Sequence, residues 1–289
     1  MKSLFAILLA LLFTGCDGRV WNNPYPASDD GKSIFYSVFT ERPKHLDPVQ
    51  AYSENEYIFL AQIYQPPLQY HYLKRPYQLV PQAASEMPKV IYFDKNNHRL
   101  NAQAPTEQIA FSVYEIQLRP ELKFQPHPAL ALDSNGESSY RSLNSADLKL
   151  INSLTDFKRT GTRNVTAADY VYQIKRLAHP RLHSPILQLM GEYVVGLKDL
   201  ADKLAKSSAT LPAHAYIDLT SEQISGVRVI DRHTYAVRVR GKYPQFAYWL
   251  AMPFFAPVPL EVDRFFGQPG MAKKNLTLDW YPVGTGPYM

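Results

Sequence analysis

Prolines punctuate this chain more firmly than any other residue. There are 23 of them in 289 residues, and each fixes φ and removes a backbone donor, so helices and strands must fit between them. Pro66 and Pro67 break the chain after a short helical pattern at Glu54–Tyr64, where Ile58, Leu60, Ala61 and Ile63 are apolar. Pro81 and Pro88 hold Gln78–Pro88 extended. Pro180 closes the clearest helix, Asn164–Pro180, and Pro244 opens another at Pro244–Met252. What remains is a mixture of short strands and helices without strict alternation and without a fixed repeat. That pattern predicts an α/β or α+β architecture in two lobes.

The pieces can be read individually. Ser33–Phe39 ("SIFYSVF") is rich in β-formers and predicts a first strand. Thr40–Tyr52 is a loop, and Ser53 with Glu56 three residues on makes a capping box for the helix that follows. Lys89–Leu100 and Glu107–Leu118 read as strands. In the second, the apolar phase of Ile109, Phe111 and Val113 shifts near Tyr114 to Ile116 and Leu118, which predicts a bulge. Gln125–Arg163 reads as a long loop with at most one short helix near Ala146–Leu154. In the helix after it, Thr166 caps the amide of Asp169, and Ala167, Val171, Ile174 and Ala178 form one apolar face. Ser184–Lys206 predicts two helical pieces divided at Gly191 or Gly196. Ser225–Gly241 predicts a hairpin turning at Asp231–His233. Pro259–Gly267 predicts a last short helix, and Trp249 reads as core. The chain closes on "YPVGTGPYM", where Gly284 and Gly286 are expected to supply backbone angles closed to other residues.

The composition, 46% hydrophobic and 20% charged, is that of a folded globular protein. Its net charge of +5 comes without any basic run, so nucleic acid is not implied as a partner. The first residues are specific. One lysine precedes an apolar run, Leu4–Phe13, too short for the roughly 20 residues of a membrane span, and Thr14-Gly15 lead to the only cysteine, Cys16. This resembles a bacterial lipoprotein signal: residues 1–15 are removed, Cys16 is the lipid-attachment site, and residues 16–32 form a polar tether. Asp17 resembles a signal for retention at the inner membrane of a Gram-negative cell.

Catalytic signatures are weak. No Gly-x-Ser-x-Gly elbow and no Walker lysine pattern occurs. His179 and His183 are four apart, but Pro180 lies between them, so they do not share a helix face. An envelope metal-dependent hydrolase using His127, His179 and His183 stays open as an alternative, as does a truncated remnant that binds nothing. No enzyme activity, metal or other cofactor is expected.

Several motifs occur in a characteristic order: His45–Tyr70, Gln78–Pro88, Phe111–Phe124, Val165–Pro180, the Gly226–Val239 hairpin and "YPVGTGPY". Together, over residues 33–289, they resemble the family 5 extracellular solute-binding proteins, the dipeptide- and oligopeptide-binding proteins of ABC importers. The resemblance implies a class II (cluster C) periplasmic-binding-protein-like α/β fold, with a mixed-sheet lobe at 33–68 and 222–289 and an extra subdomain at 69–221. In the family the closing motif stands where the chain crosses into a second large lobe, so an amino-terminal fragment lacking that lobe is expected. The stretch between Phe124 and Thr166 is longer than the family's and lacks its Asp-Gly. The implied function is capture of peptides or similar small solutes for ABC importer permeases, by a monomer on the periplasmic side of the cell membrane. By position after "LDP", Tyr52, Ser53 and Glu54 match the loop facing the cleft in peptide-binding relatives. The resemblance implies that Glu54 is to pair with a ligand amine and Tyr52 to stack or pack on its chain.

Overall fold

A computed structural model of the chain describes residues 25–34, 36–144, 146–212 and 215–288. The expected leader 1–15, Cys16 and Asp17 lie outside the described residues. Up to Thr40 the chain is a unit of its own. In it a single 3-10 turn, Ala27–Asp29, carries Asp29, whose carboxylate accepts a 2.6 Å hydrogen bond from the Tyr36 hydroxyl. Tyr36 also stacks on Tyr25 with ring centroids 3.6 Å apart. The expected strand at Ser33–Phe39 does not form: none of its described residues is in a strand, and Val38 is 92% exposed. Residues of this type make a strand only where a neighbouring strand and a packed face are supplied.

From Glu41 onward the chain forms the second unit. Its elements are α1 (Glu54–Ile63), β1 (Leu68–Tyr70), β2 (Leu79–Pro81), β3 (Lys89–Phe93), β4 (Phe111–Gln117), α2 (Ala167–Leu177), α3 (Leu187–Tyr193), α4 (Leu197–Ser208), β5 (Val227–Val229), β6 (Thr234–Arg240), α5 (Phe246–Trp249) and α6 (Leu260–Phe266). β1 and β2 pair as a small antiparallel ribbon, Leu68 opposite Pro81. The main sheet is antiparallel with the order β3-β4-β6-β5. It therefore takes two strands from before residue 222 and two from after it.

The register of β4 against β6 runs unbroken from Phe111↔Arg240 to Gln117↔Thr234, so the expected bulge is absent. Ser112, Val113, Tyr114 and Ile116 are all buried. A central strand covered on both faces has no need of alternation, and that is what the phase shift reports. Ser112 tolerates burial because its hydroxyl donates to the Gly241 carbonyl at 2.6 Å.

α2 is the strut of the unit, and most of its residues are buried. The predicted Thr166 cap on the Asp169 amide forms at its first turn, and the Asp169 carboxylate accepts from Thr166 N at 2.8 Å in return, completing a capping box. Tyr170 stacks on Tyr235 of the sheet at 5.4 Å and donates to the Gln65 carbonyl. Gln173 Nε2 donates to the Phe254 carbonyl at 3.0 Å. The helix thus joins the sheet, the loop before β1 and the 3-10 turn Pro253–Phe255. The α3–α4 break falls at Gly196, the N-cap, where φ is +82°, a left-handed value that costs glycine little. Gly191 stays inside α3. The long connection 125–163 holds two 3-10 turns, Pro128–Leu130 and Leu154–Asp156, with no α-helix among its described residues.

The closing glycines serve another purpose than the one expected. Neither Gly284 nor Gly286 has positive φ. They are required by close approach: a Cβ on Gly284 would lie 1.9 Å from the Ile63 carbonyl oxygen, and one on Gly286 would lie 2.2 Å from that of Gln62. The segment lies against the end of α1, where Gly286 N donates to the Ile63 carbonyl at 2.8 Å. Gln125 clamps it from the other side, its side chain accepting from Gly284 N at 3.0 Å and donating to the Gly286 carbonyl at 2.9 Å.

Candidate functional site

The sequence-predicted residues Tyr52, Ser53 and Glu54 come together on the lip of one hollow of about 560 Å³. Ala51 from the loop before α1 and Tyr57 and Leu60 from α1 line it with them, as do Tyr70 from β1 and Trp249, Met252, Pro253 and Phe254 from the segment after β6. Tyr52 is 73% exposed, with its ring 6.3 Å from that of Phe254. Trp249, expected as core, does both jobs. Its ring packs against the core and lines the hollow, while its indole N–H is spent on the Tyr243 hydroxyl at 3.0 Å. Glu54 is exposed, and its carboxylate makes no hydrogen bond or ion pair among the described residues.

The lip is held from beneath by one buried carboxylate. Glu56 Oε2 accepts from the amides of Tyr52 (2.8 Å) and Ser53 (3.0 Å). Its Oε1 accepts from those of His45 (2.9 Å) and Lys44 (3.2 Å). With the Ser53 side chain accepting from the backbone of Glu56, this is the predicted capping box enlarged to a four-amide clamp. Burial raises the Glu56 pKa, but the hydrogen bonds from Ser53, Tyr52 and His45 outweigh it and hold it at about 2. Ser53 is thus a cap as well as part of the lip.

A second anchor sits behind the loop. Asp47 of "LDP" binds Arg176 of α2 through two bonds, 2.9 and 2.7 Å, while Arg176 Nε reaches Asp263 of α6 at 2.7 Å. Arg176 is 1% exposed. Burial works against its charge, but Asp263 and Asp47 more than compensate, and its pKa lies above the ordinary arginine value. Asp279 holds the same loop, accepting from the amides of Leu46 and Asp47 at 3.2 and 3.1 Å. A parallel pair of ion pairs joins Arg163 to Asp169 and Glu261, each at 2.7 Å. Two arginines from the α2 region therefore fix α6 and the loop before α1 in place. An arginine inside a helical pattern and an aspartate in a proline turn were the only sequence signals of the first of these pairs.

The three histidines of the hydrolase alternative have other surroundings. His127 is buried between the rings of Phe265 and Phe266, caps a 3-10 turn by accepting from Ala129 N, and burial lowers its pKa to about 3. His179 accepts from Arg181 N, and chiefly burial lowers its pKa to about 4. His183 is exposed. Among the described residues no group of three or more His, Cys, Asp or Glu side chains is arranged to hold a metal. No helix among them is long and apolar enough to cross a membrane.

Residues 78–289 match the family described as bacterial extracellular solute-binding proteins, family 5, middle region. The chain belongs to this family. No curated protein matches the sequence. Among solved structures, the chain is similar to the Escherichia coli murein tripeptide binding protein MppA, with TM-score 0.50 and 17% identity over 87% of this chain and 34% of that one. The unliganded open form of MppA gives TM-score 0.50 and 18% identity over the same shares. Listeria monocytogenes OppA bound to peptide gives TM-score 0.47 and 16% identity over 84% of this chain and 33% of that one. The chain spans about a third of the length of the solved structures it matches. The MppA likeness shows a shared periplasmic-binding-protein-like fold.

Proposed function

We propose that this family 5 chain supplies a wall of a ligand cleft that captures peptides for an ABC importer. The observation that carries the reading is the hollow: an aromatic-lined recess whose lip, Tyr52–Glu54, is held rigid by Glu56 and presents an unpaired carboxylate. A recess built this way suits binding rather than chemistry. Fixed backbone, broad ring surfaces and one charge give affinity and orientation, and no nucleophile–base pair faces it. Peptide-binding proteins among the solved structures of like fold support the cargo class. The whole assembly, on this reading, is a monomeric, non-enzymatic receptor handing cargo to importer permeases.

The same proposal places the protein on the periplasmic side of the cell membrane, anchored through lipid on Cys16 and kept at the inner membrane by Asp17 in a Gram-negative host. Calorimetric titration of the purified chain with a pool of tripeptides tests the binding function. Saturable heat that Tyr52→Ala diminishes is expected; no heat into the millimolar range overturns it. Mass spectrometry of the amino-terminal peptide tests the anchor. A diacylglyceryl-modified Cys16 is expected, and an unmodified Cys16 in a membrane-free product refutes it.

A further inference from the structure

We infer that the hollow selects cargo whose terminal ammonium is carried beside a bulky apolar or aromatic side chain. This rests on the binding reading above and narrows it to a ligand class. The lining is the reason. Ala51, Leu60, Met252, Pro253 and Phe254 offer no side-chain polar group, and Tyr52, Tyr57, Tyr70 and Trp249 offer ring faces and edges. Beside the tyrosine hydroxyls and the Glu54 carboxylate, two polar groups of the recess are already committed. The Trp249 N–H is given to Tyr243, and the Ser53 side chain accepts from the first turn of α1. A polar cargo side chain entering here would lose water and find few partners, a cost that apolar groups do not meet. An apolar one would bury its surface against five rings and a flexible methionine.

The charge pattern sets the second half of the class. Glu54 is the one charged residue of the lining, and its carboxylate is unengaged among the described residues. It sits at the first position of α1, on the lip of the hollow. An ammonium at the lip is therefore complementary, a carboxylate side chain there is repelled, and exposed ring faces at Tyr52 and Tyr57 favour the cation further. The aromatic surface also continues outward from Tyr70 to Tyr77 at 5.7 Å and Tyr248 at 6.2 Å, giving the rest of the cargo a ledge of rings.

The test is a fluorescence titration of the full chain, since Trp249 lines the recess. The probes are Phe-Ala-Ala, Ser-Ala-Ala, Asp-Ala-Ala and N-acetyl-Phe-Ala-Ala, with Trp249→Phe as the control that the signal comes from this ring. The expected order is Phe above Ser above Asp, with the Phe peptide at least about tenfold tighter than the Ser peptide, the scale on which apolar pockets discriminate. Acetylation should weaken binding, and Glu54→Gln should remove the advantage of the free amine while leaving the acetylated peptide unchanged. Equal binding of all four probes, or indifference to Glu54→Gln, overturns the selectivity while peptide capture stands. Silence of every probe, by fluorescence and calorimetry alike, overturns both.

Discussion

Replacing Glu56 by glutamine should destabilise the protein at neutral pH and cease to matter in strong acid. The carboxylate is 3% exposed and accepts four backbone amides at 2.8–3.2 Å. Its pKa falls from 4.5 to about 2 on folding. At about 1.36 kcal/mol per unit, that difference corresponds to about 3 kcal/mol of stability at pH 7, or about 2 kcal/mol once solvent screening near the surface is allowed for. The sign follows from the depressed value: the contribution is complete above about 4.5 and disappears as pH falls from there to about 2. Glutamine keeps one acceptor but turns an NH₂ group toward amides that need an oxygen, so it loses the charge and adds a mismatch. Urea unfolding followed by circular dichroism, wild type against Glu56→Gln, should give a gap of about 2 kcal/mol at pH 7 that narrows steadily below pH 4. The same substitution should weaken peptide binding, because two of the amides belong to Tyr52 and Ser53 of the lip. A gap below about 0.5 kcal/mol at pH 7, or one that does not change with pH, would refute the clamp.

Other substitutions test the supports around the site. Asp47→Ala strips Arg176 of its two-bond partner while it remains 1% exposed, and should cost about 3–5 kcal/mol in the same unfolding assay, with Asp47→Leu/Arg176→Met recovering part of the loss. Gly284→Ala should cost about 1–3 kcal/mol, since its methyl group would strike the Ile63 carbonyl oxygen and push the closing segment off α1. Gly136→Ala, where the added Cβ meets nothing but φ is +79°, should cost about 1–2 kcal/mol through backbone strain alone.

The sequence announced the local elements whose signals are chemical and short-range. Thr166 with Asp169 and Ser53 with Glu56 marked both helix starts, and both capping boxes are present. The β5–β6 turn was equally legible and the α3–α4 break was narrowed to Gly191 or Gly196, because turn and cap chemistry is written within a few residues. Readings that depended on a distant partner fared worse. Ser33–Phe39 has strand composition without a strand, and the β4 phase shift marked two covered faces rather than a bulge. The glycines of "VGTGP" were recognisable as constrained. Their constraint is contact with α1, though, more than two hundred positions earlier, and no local pattern carries that. Of the residues lining the hollow, Tyr52–Glu54 were singled out by motif, whereas Tyr70, Met252 and Phe254 were not. They reach the hollow through the ribbon and the segment after β6, and only the assembled fold brings these together.

Hydrogen exchange of the chain's amides with and without a saturating tripeptide bearing amino-terminal phenylalanine tests the central claim most directly. A ligand seated in the hollow should slow exchange at Ala51–Tyr57 and across Trp249–Phe254, and leave the β3–β4 pairing and the 125–163 connection unchanged. Protection confined to other segments, or none at concentrations where calorimetry shows binding, would contradict the assignment of the site to this hollow.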